Sequence, residues 1–271
     1  MENLIKTGRV FYGIGIICLA AQQFIYSDFR PVFLAPWPVW MHTAAWAYIF
    51  GIIIAALGLL IVIGRYGFDA SVCLGILFFL FCVLQTIYFL FMGPNSPRHL
   101  GLWVDPLKEL TLSGGAFVIA GSYFFTNNIA ASKKSLFSDP EKLILVGRTF
   151  FSIMLVAFGI THFYYTDFVA TLVPSWIPGH VFWSYVGGIA LIGAGVTILF
   201  GIKLKLFGAL TAIMIFIWLL ILHIPRAVAD PHGANGNEIT SCFEALAFSG
   251  IALIVAFTSE KRVRVIKTAL A

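Results

Sequence analysis

The chain has 271 residues, 60% of them hydrophobic and only 11% charged, with a formal net charge of +5. Soluble domains carry roughly 25% charged residues, so this deficit excludes an ordinary soluble globular protein and places the chain in the membrane class. The basic surplus follows from membrane topology and predicts no nucleic-acid partner; the lipid bilayer is the expected environment.

In chain order, eight apolar runs are long enough to cross a bilayer, roughly 17–25 residues each. They lie near 9–26, 44–64, 70–93, 107–125, 148–165, 182–201, 205–224 and 242–258. The runs are continuous rather than alternating, so they predict helices and not a barrel. MENLIKTGRV at the start resembles the basic region of a signal peptide, but no small-residue cleavage site follows, and an uncleaved first helix is expected. With eight spans, thirteen Lys and Arg fall on the side of the termini and four (Arg30, Arg98, Lys108, Arg226) on the other. That asymmetry puts both termini in the cytoplasm. The expected location is the cytoplasmic (inner) membrane.

The chain is written twice. GRVFYGIGIICLAAQQFIYSDF (8–29) and GRTFFSIMLVAFGITHFYYTDF (147–168) match at Gly8/Gly147, Arg9/Arg148, Phe11/Phe150 and Phe24/Phe163, a constant offset of 139. After a slip the likeness continues through Trp46/Trp183, Gly58/Gly195 and Gly64/Gly201, and the last helices share Ser113-Gly114 with Ser249-Gly250. Such a period predicts two copies of a four-helix unit facing the same way. The expected organisation is a first unit (1–125), a cytoplasmic linker (126–143), a second unit (144–258) and a basic cytoplasmic tail (259–271). The predicted fold class is an all-α membrane protein with eight transmembrane helices, built as two parallel-repeat four-helix bundles.

The chemistry collects on the outward side. All six histidines (His42, His99, His162, His180, His223, His232) fall in outward loops or at outward helix ends. PWPVWMH (36–42) and PSWIPGH (174–180) read as short aromatic-proline caps over the helices. Polar groups at membrane depth are costly and usually face the bundle interior or a wet cavity. The second copy is better equipped: His162, His223, Arg226 and Glu244 are the candidate catalytic set. His162 and His223 would orient or protonate a ligand, Arg226 would stabilise developing negative charge, and Glu244 would fix an imidazole tautomer or relay protons. A Glu244–Arg226 pair would satisfy both charges. Tyr165, Trp176, His180 and Trp183 are expected to line the ligand space. In the first copy Gln23 stands at the register of His162 and, after a one-residue slip, Gln85 at that of His223; either could hydrogen-bond a ligand but not shuttle a proton. Lys108 and Glu109 lie near the register of Glu244.

Cys18, Cys73 and Cys82 lie within spans and Cys242 stands alone, without a C-x-x-C, so disulfide exchange is not expected. Metal and haem spacings, phosphate loops and serine elbows are absent, so no metal or haem is expected. Imidazole, guanidinium and carboxylate suit a small ligand or a quinone-like ring.

The HF pair (162–163), the P-S-W-I-P-G-H loop (174–180), W-x-x-x-G-G (183–188), HIPR (223–226) and N-E…F-E-A-L-A-F-S-G (237–250) resemble the DoxX-like integral membrane proteins. The resemblance covers nearly all of the second copy; the first looks like a diverged second unit. It implies a four-helix unit and includes relatives that serve quinone-linked sulfur oxidation, oxidative-stress complexes or, more distantly, sterol-like ligands. The leading expectation is a membrane component of a redox pathway, an oxidoreductase subunit, with an outward pocket for a quinone or a small sulfur or aromatic substrate. The alternatives are a non-catalytic lipid or hydrophobic-ligand carrier, and a membrane assembly partner for an exoplasmic protein docking on Trp37, Trp40 or Trp176.

Overall fold

A computed structural model describes residues 1–34, 40, 43–92, 100–126 and 136–269; the side chains of residues 92, 136, 234 and 259–269 lie outside that description. So do most of the PWPVWMH cap with Trp37 and His42, Arg98, His99, and the linker lysines Lys133 and Lys134. The chain is mostly helical, with no strand among the described residues. Its helices are α1 (Glu2–Tyr26), α2 (Ala44–Ile63), α3 (Gly67–Ile87), α4 (Val104–Thr126), α5 (Pro140–Tyr164), the short α6 (Thr166–Leu172), α7 (His180–Leu199), α8 (Leu204–Trp218), the short α9 (Ile224–Ala229) and α10 (Asn237–Ala269).

Seven helical segments are long and apolar enough to cross a bilayer, ending with Leu204–Ala229 and Asn237–Thr258. The one expected span outside that set is α4, whose first turns carry Asp105, Lys108 and Glu109. Its composition makes sense from its place. Seventeen of its residues are buried against other helices, and a helix wrapped by protein need not offer an apolar surface to lipid. By contrast α2 is apolar nearly all round, and only five of its residues are buried.

Small residues set the helix crossings. In a membrane interior, close backbone approach supplies much of the packing energy. α1 runs antiparallel to α10, with Gly8 against Gly250 at one end and Gln22 bonded to Thr240 at the other. A Cβ on Gly8 would stand 2.7 Å from the Gly250 carbonyl oxygen, and one on Gly114 would stand 2.6 Å from that of Gly147. No side chain fits at either crossing. Gly8 and Gly147 are the matched glycines of the two sequence copies, and so are Gly250 and Gly114. The helices that carry these matched glycines therefore cross in pairs, α1 on α10 and α4 on α5, with α4 also touching α10. Two further contacts recur in this way. Ser113 Oγ donates to the Gly75 carbonyl at 2.7 Å, and Ser249 Oγ to the Ala212 carbonyl at 3.1 Å. Gly51 packs on Phe24 as Gly188 packs on Phe163.

Local sequence explains the irregular places. Each of the two π turns, Tyr88–Met92 and Leu219–His223, ends two residues before a proline, Pro94 and Pro225. Proline lacks an N–H and crowds the preceding turn, and a π turn is one relief for that. After the shared Tyr-Ser/Thr-Asp-Phe the copies part. Arg30-Pro31 follows in the first, and proline disfavours a helical conformation in the residue before it. There the chain turns inward, and Phe29, Arg30, Val32, Phe33 and Leu34 are all buried. Phe33 stacks on Phe78, half-way along α3, with ring centroids 5.5 Å apart. Irregular backbone at this depth is tolerated because protein covers it. In the second copy Val169-Ala170 lets the helix continue, and it forms α6, none of whose residues is buried.

Candidate functional site

A small recess beside His162, with room for a methyl group on Gly187, lies between residues of α5, α7 and α8. His162 closes the last turn of α5, half-buried, with Nδ1 2.8 Å from the Phe158 carbonyl oxygen. A carbonyl only accepts, so Nδ1 carries the hydrogen, and in the neutral ring Nε2 presents its lone pair. Nε2 faces Gly187. A methyl placed on Gly187 would lie 3.4 Å from His162 Cδ2, 3.5 Å from Nε2 and 3.7 Å from Trp218 Cζ2, all ordinary contact distances. Gly187 thus leaves room, whereas its neighbour Gly188 is a packing glycine whose Cβ would meet Phe163 at 2.7 Å.

The matching region of the first copy is filled. At the offset of 137 set by Trp46/Trp183, Phe50 stands for Gly187 and Phe81 for Trp218. Phe50 and Phe81 are 5.2 Å apart, and Phe29 from the inward segment packs on both, at 5.8 and 6.1 Å. The second copy keeps one aromatic ring of this trio. Phe168, the match of Phe29, is 64% exposed on α6, and Gly187 has no side chain. Two phenyl rings of the first copy have no counterpart in front of His162.

His223 ends the π turn Leu219–His223, half-buried, in the electrostatic field of Lys108, Glu238 and Arg226. A π turn carries one residue more than the α turn it replaces. That extra residue accounts for the slip that aligns His223 with Gln85. The expected Glu244–Arg226 pair is corrected. Arg226 Nε and Nη2 donate to both oxygens of Glu238, at 2.9 and 2.5 Å. Glu238, the second residue of α10, lies at the end of that helix nearer α9, so it reaches Arg226 before the deeper carboxylate does. Glu244, buried in α10, instead takes Lys108 Nζ at 2.9 Å. Lys108 and Glu244 stand five residues before the matched Ser113 and Ser249. The ion pair therefore joins corresponding positions of the two copies across the α4–α10 contact.

Arg226 is already neutralised and Glu244 is committed to Lys108, so neither is placed as a bare charge for a ligand. Among the other expected ligand-space residues, Tyr165 closes α5 and accepts from the Gly101 N–H at 3.3 Å. His180 opens α7, where its carbonyl accepts from Ser184 Oγ. Trp176 in the 174–179 turn is 71% exposed, and Trp183 is also exposed. Gln23 and Gln85 are buried in the first half, Gln85 donating to the Pro31 carbonyl at 2.6 Å. Arg30 lies over the Tyr26 ring and donates to the Asn235 carbonyl and to Thr240. Burial pulls its guanidinium below the usual arginine range, against the fields of Tyr26 and Glu244. The four cysteines are free thiols. Among the described residues no group of three or more His, Cys, Asp and Glu is arranged for a metal ion.

The sequence expectations did not include Gly187, Trp218 or the Glu238 partner of Arg226. The first two were signalled by the repeat itself, which sets a glycine against Phe50 at a helix-facing position. A family model described as a domain of unknown function (DUF8561) matches residues 151–256, which covers most of the second copy and none of the first. No curated protein and no solved structure matches the chain.

Proposed function

We propose that the chain is an eight-span membrane protein of two DoxX-like copies whose second copy binds the ring of a quinol on its outward side, as one component of a redox pathway. The observation that carries this reading is the recess at Gly187. His162 Nε2 offers an acceptor there, Trp218 offers a ring face, and the first copy fills the matching region with two of its own phenyl rings. A flat ring with a hydroxyl suits the chemistry of those walls: its O–H would donate to Nε2, and its face would lie on the indole. With both neighbouring ion pairs internally neutralised, the recess favours a neutral head group. His223, in the field of Arg226 and Glu238, is the second imidazole available for a proton. Electrons would pass to a partner protein, since quinol oxidation needs an acceptor beyond this chain.

In this reading α4 is the eighth span, shielded from lipid by its neighbours. Both termini lie in the cytoplasm of a cell with an inner membrane, as the distribution of Lys and Arg indicates. The two copies interlock about the α4–α10 contact, each lending its first helix to the other.

Binding of a short-chain benzoquinol to the purified protein tests the assignment. His162→Gln should weaken it at least tenfold, about 1.4 kcal/mol or more. Gly187→Ala should weaken it too by occupying the recess, while leaving thermal unfolding unchanged. Undiminished binding in both variants would remove the site. The exposure of Trp176 favours a second reading, an exoplasmic protein docked on the 174–179 turn. Loss of a co-purifying partner in Trp176→Ala, with quinol binding intact, would support that one.

A further inference from the structure

Away from the His162 recess, the unpaired polar atoms of the interior gather in the first half. Gln23 and Glu109 are both 0% exposed, and neither the amide of one nor the carboxyl of the other has a hydrogen-bond partner. Gln85 Oε1 is likewise unpartnered, which makes five such atoms on the neighbouring helices α1, α3 and α4. Gln22 Nε2, Arg30 Nε and Glu244 Oε1 extend the set to the contact with α10. More than about nine in ten buried polar groups are paired, so this concentration marks a place where something polar belongs.

The groups form one connected region. Cys82 Sγ donates to the Pro106 carbonyl at 3.3 Å, and Cys82 and Asp105 are the charged or titratable groups in the field of Glu109. Gln85 is one turn beyond Cys82 and reaches Pro31, next to Arg30. Arg30 lies over Tyr26, one turn from Gln23, and shares a field with Glu244 and Asp105. Among the described residues, neither of the cations nearest in this network is free to neutralise Glu109. Lys108 is bonded to Glu244 and Asp105, and Arg30 is engaged by Asn235 and Thr240. From α5, residues 149–161 bring no ionisable side chain.

We propose that Glu109 is a proton-binding site, a carboxylic acid held neutral in the interior and joined to the outward end by water bound on Gln23 and Gln85. A buried carboxylate without donors takes a proton in preference to bearing an unpaired charge. Uptake adds one proton from water to a carboxylate oxygen and release returns it, with no other reactant. The two glutamine carbonyls are too few for a bound metal ion, which takes about six oxygens or more. Waters, in contrast, need only two to four polar partners each. The inward segment Phe29–Leu34 covers the region, so that exchange passes Arg30. This site stands independently of the quinol recess.

Infrared spectroscopy of the full-length protein in lipid, labelled with carboxyl-¹³C glutamate, tests it. The expected result at neutral pH is a protonated glutamate C=O band that shifts in D2O, disappears in Glu109→Gln and persists in Glu244→Gln. Should Glu109→Gln not fold, the labelled wild-type band and its D2O shift still decide whether a neutral glutamic acid is present. Absence of the band overturns the proposal. So does a band that appears only when sodium is replaced by choline, which would assign Glu109 to a cation. A band unchanged in Glu109→Gln also overturns it.

Discussion

The two halves of this chain carry matching sequence segments and fill the corresponding helix ends differently. In the first half α1 ends at Ser27 in a left-handed conformation, the segment Phe29–Leu34 with Pro31 folds in, and Phe29, Phe50 and Phe81 close the space with apolar packing. In the second, the same Tyr-Asp-Phe sequence continues as α6, Phe168 stays outside, and Gly187 leaves room for one methyl group between His162 and Trp218. The first half packs these aromatic rings into its own core, and the second keeps the matching phenylalanine outside. At the α4–α10 contact, identical residues would set like charges together, whereas Lys108 and Glu244 attract.

The largest effect should come from breaking that joint. Lys108→Ala leaves the Glu244 carboxylate buried and alone, a loss of about 3–5 kcal/mol, visible as a fall in Tm of the purified protein. Lys108→Glu should be at least as harmful, and the exchange Lys108→Glu with Glu244→Lys should recover most of the loss. If it does not, the pair is incidental to the joining of the halves.

Next comes the matched phenylalanine. Phe29→Ala should cost about 3–5 kcal/mol, as large-to-small core changes do. Phe168→Ala, at the same place in the repeat, should stay within about 0.5 kcal/mol. Equal effects would mean that the inward and outward segments are not the distinction described. A smaller effect on stability, but a decisive one for the site, is expected from exchanging the register residues. His162→Gln should lose quinol binding with little change in Tm, and Gln23→His should gain none, because Phe50 and Phe29 already fill its surroundings.

The smallest effect concerns Asp139, which caps α5 by accepting from the Glu141 and Lys142 N–H groups at 3.0 and 3.3 Å. Burial works to raise its pKa, but those donors and the Lys142 ammonium outweigh it and hold the carboxyl below its ordinary value. A depressed folded value stabilises above the unfolded pKa and is lost as pH falls through the folded one. Tm measured from neutral to acid pH should fall more for the wild type than for Asp139→Asn, which keeps the cap without the titration.

Much of this was legible in the residues. The deficit of charge dictates membrane helices, because a bilayer admits only segments that satisfy their own backbone. The repeat placed Gln23 against His162 and Gln85 against His223, and the slip between the latter pair is the extra residue of a π turn ahead of Pro225. Partnership was not legible. Arg226 and Glu244 are eighteen residues apart in one outward region, yet each binds another group, because pairing depends on which helices adjoin. Lys108 is remote from Glu244 in sequence and meets it only where α4 crosses α10.

The sequence by itself determined the all-helical membrane class, since that follows from composition and local backbone preference, and it carries the matched segments that read as a doubled plan. Only the tertiary structure decided that the helices carrying the matched glycines cross in pairs, which charges cancel, and which half is filled. Those depend on side-chain volume meeting across helices, and a glycine in one chain position has no meaning for packing until the ring that would face it is in place.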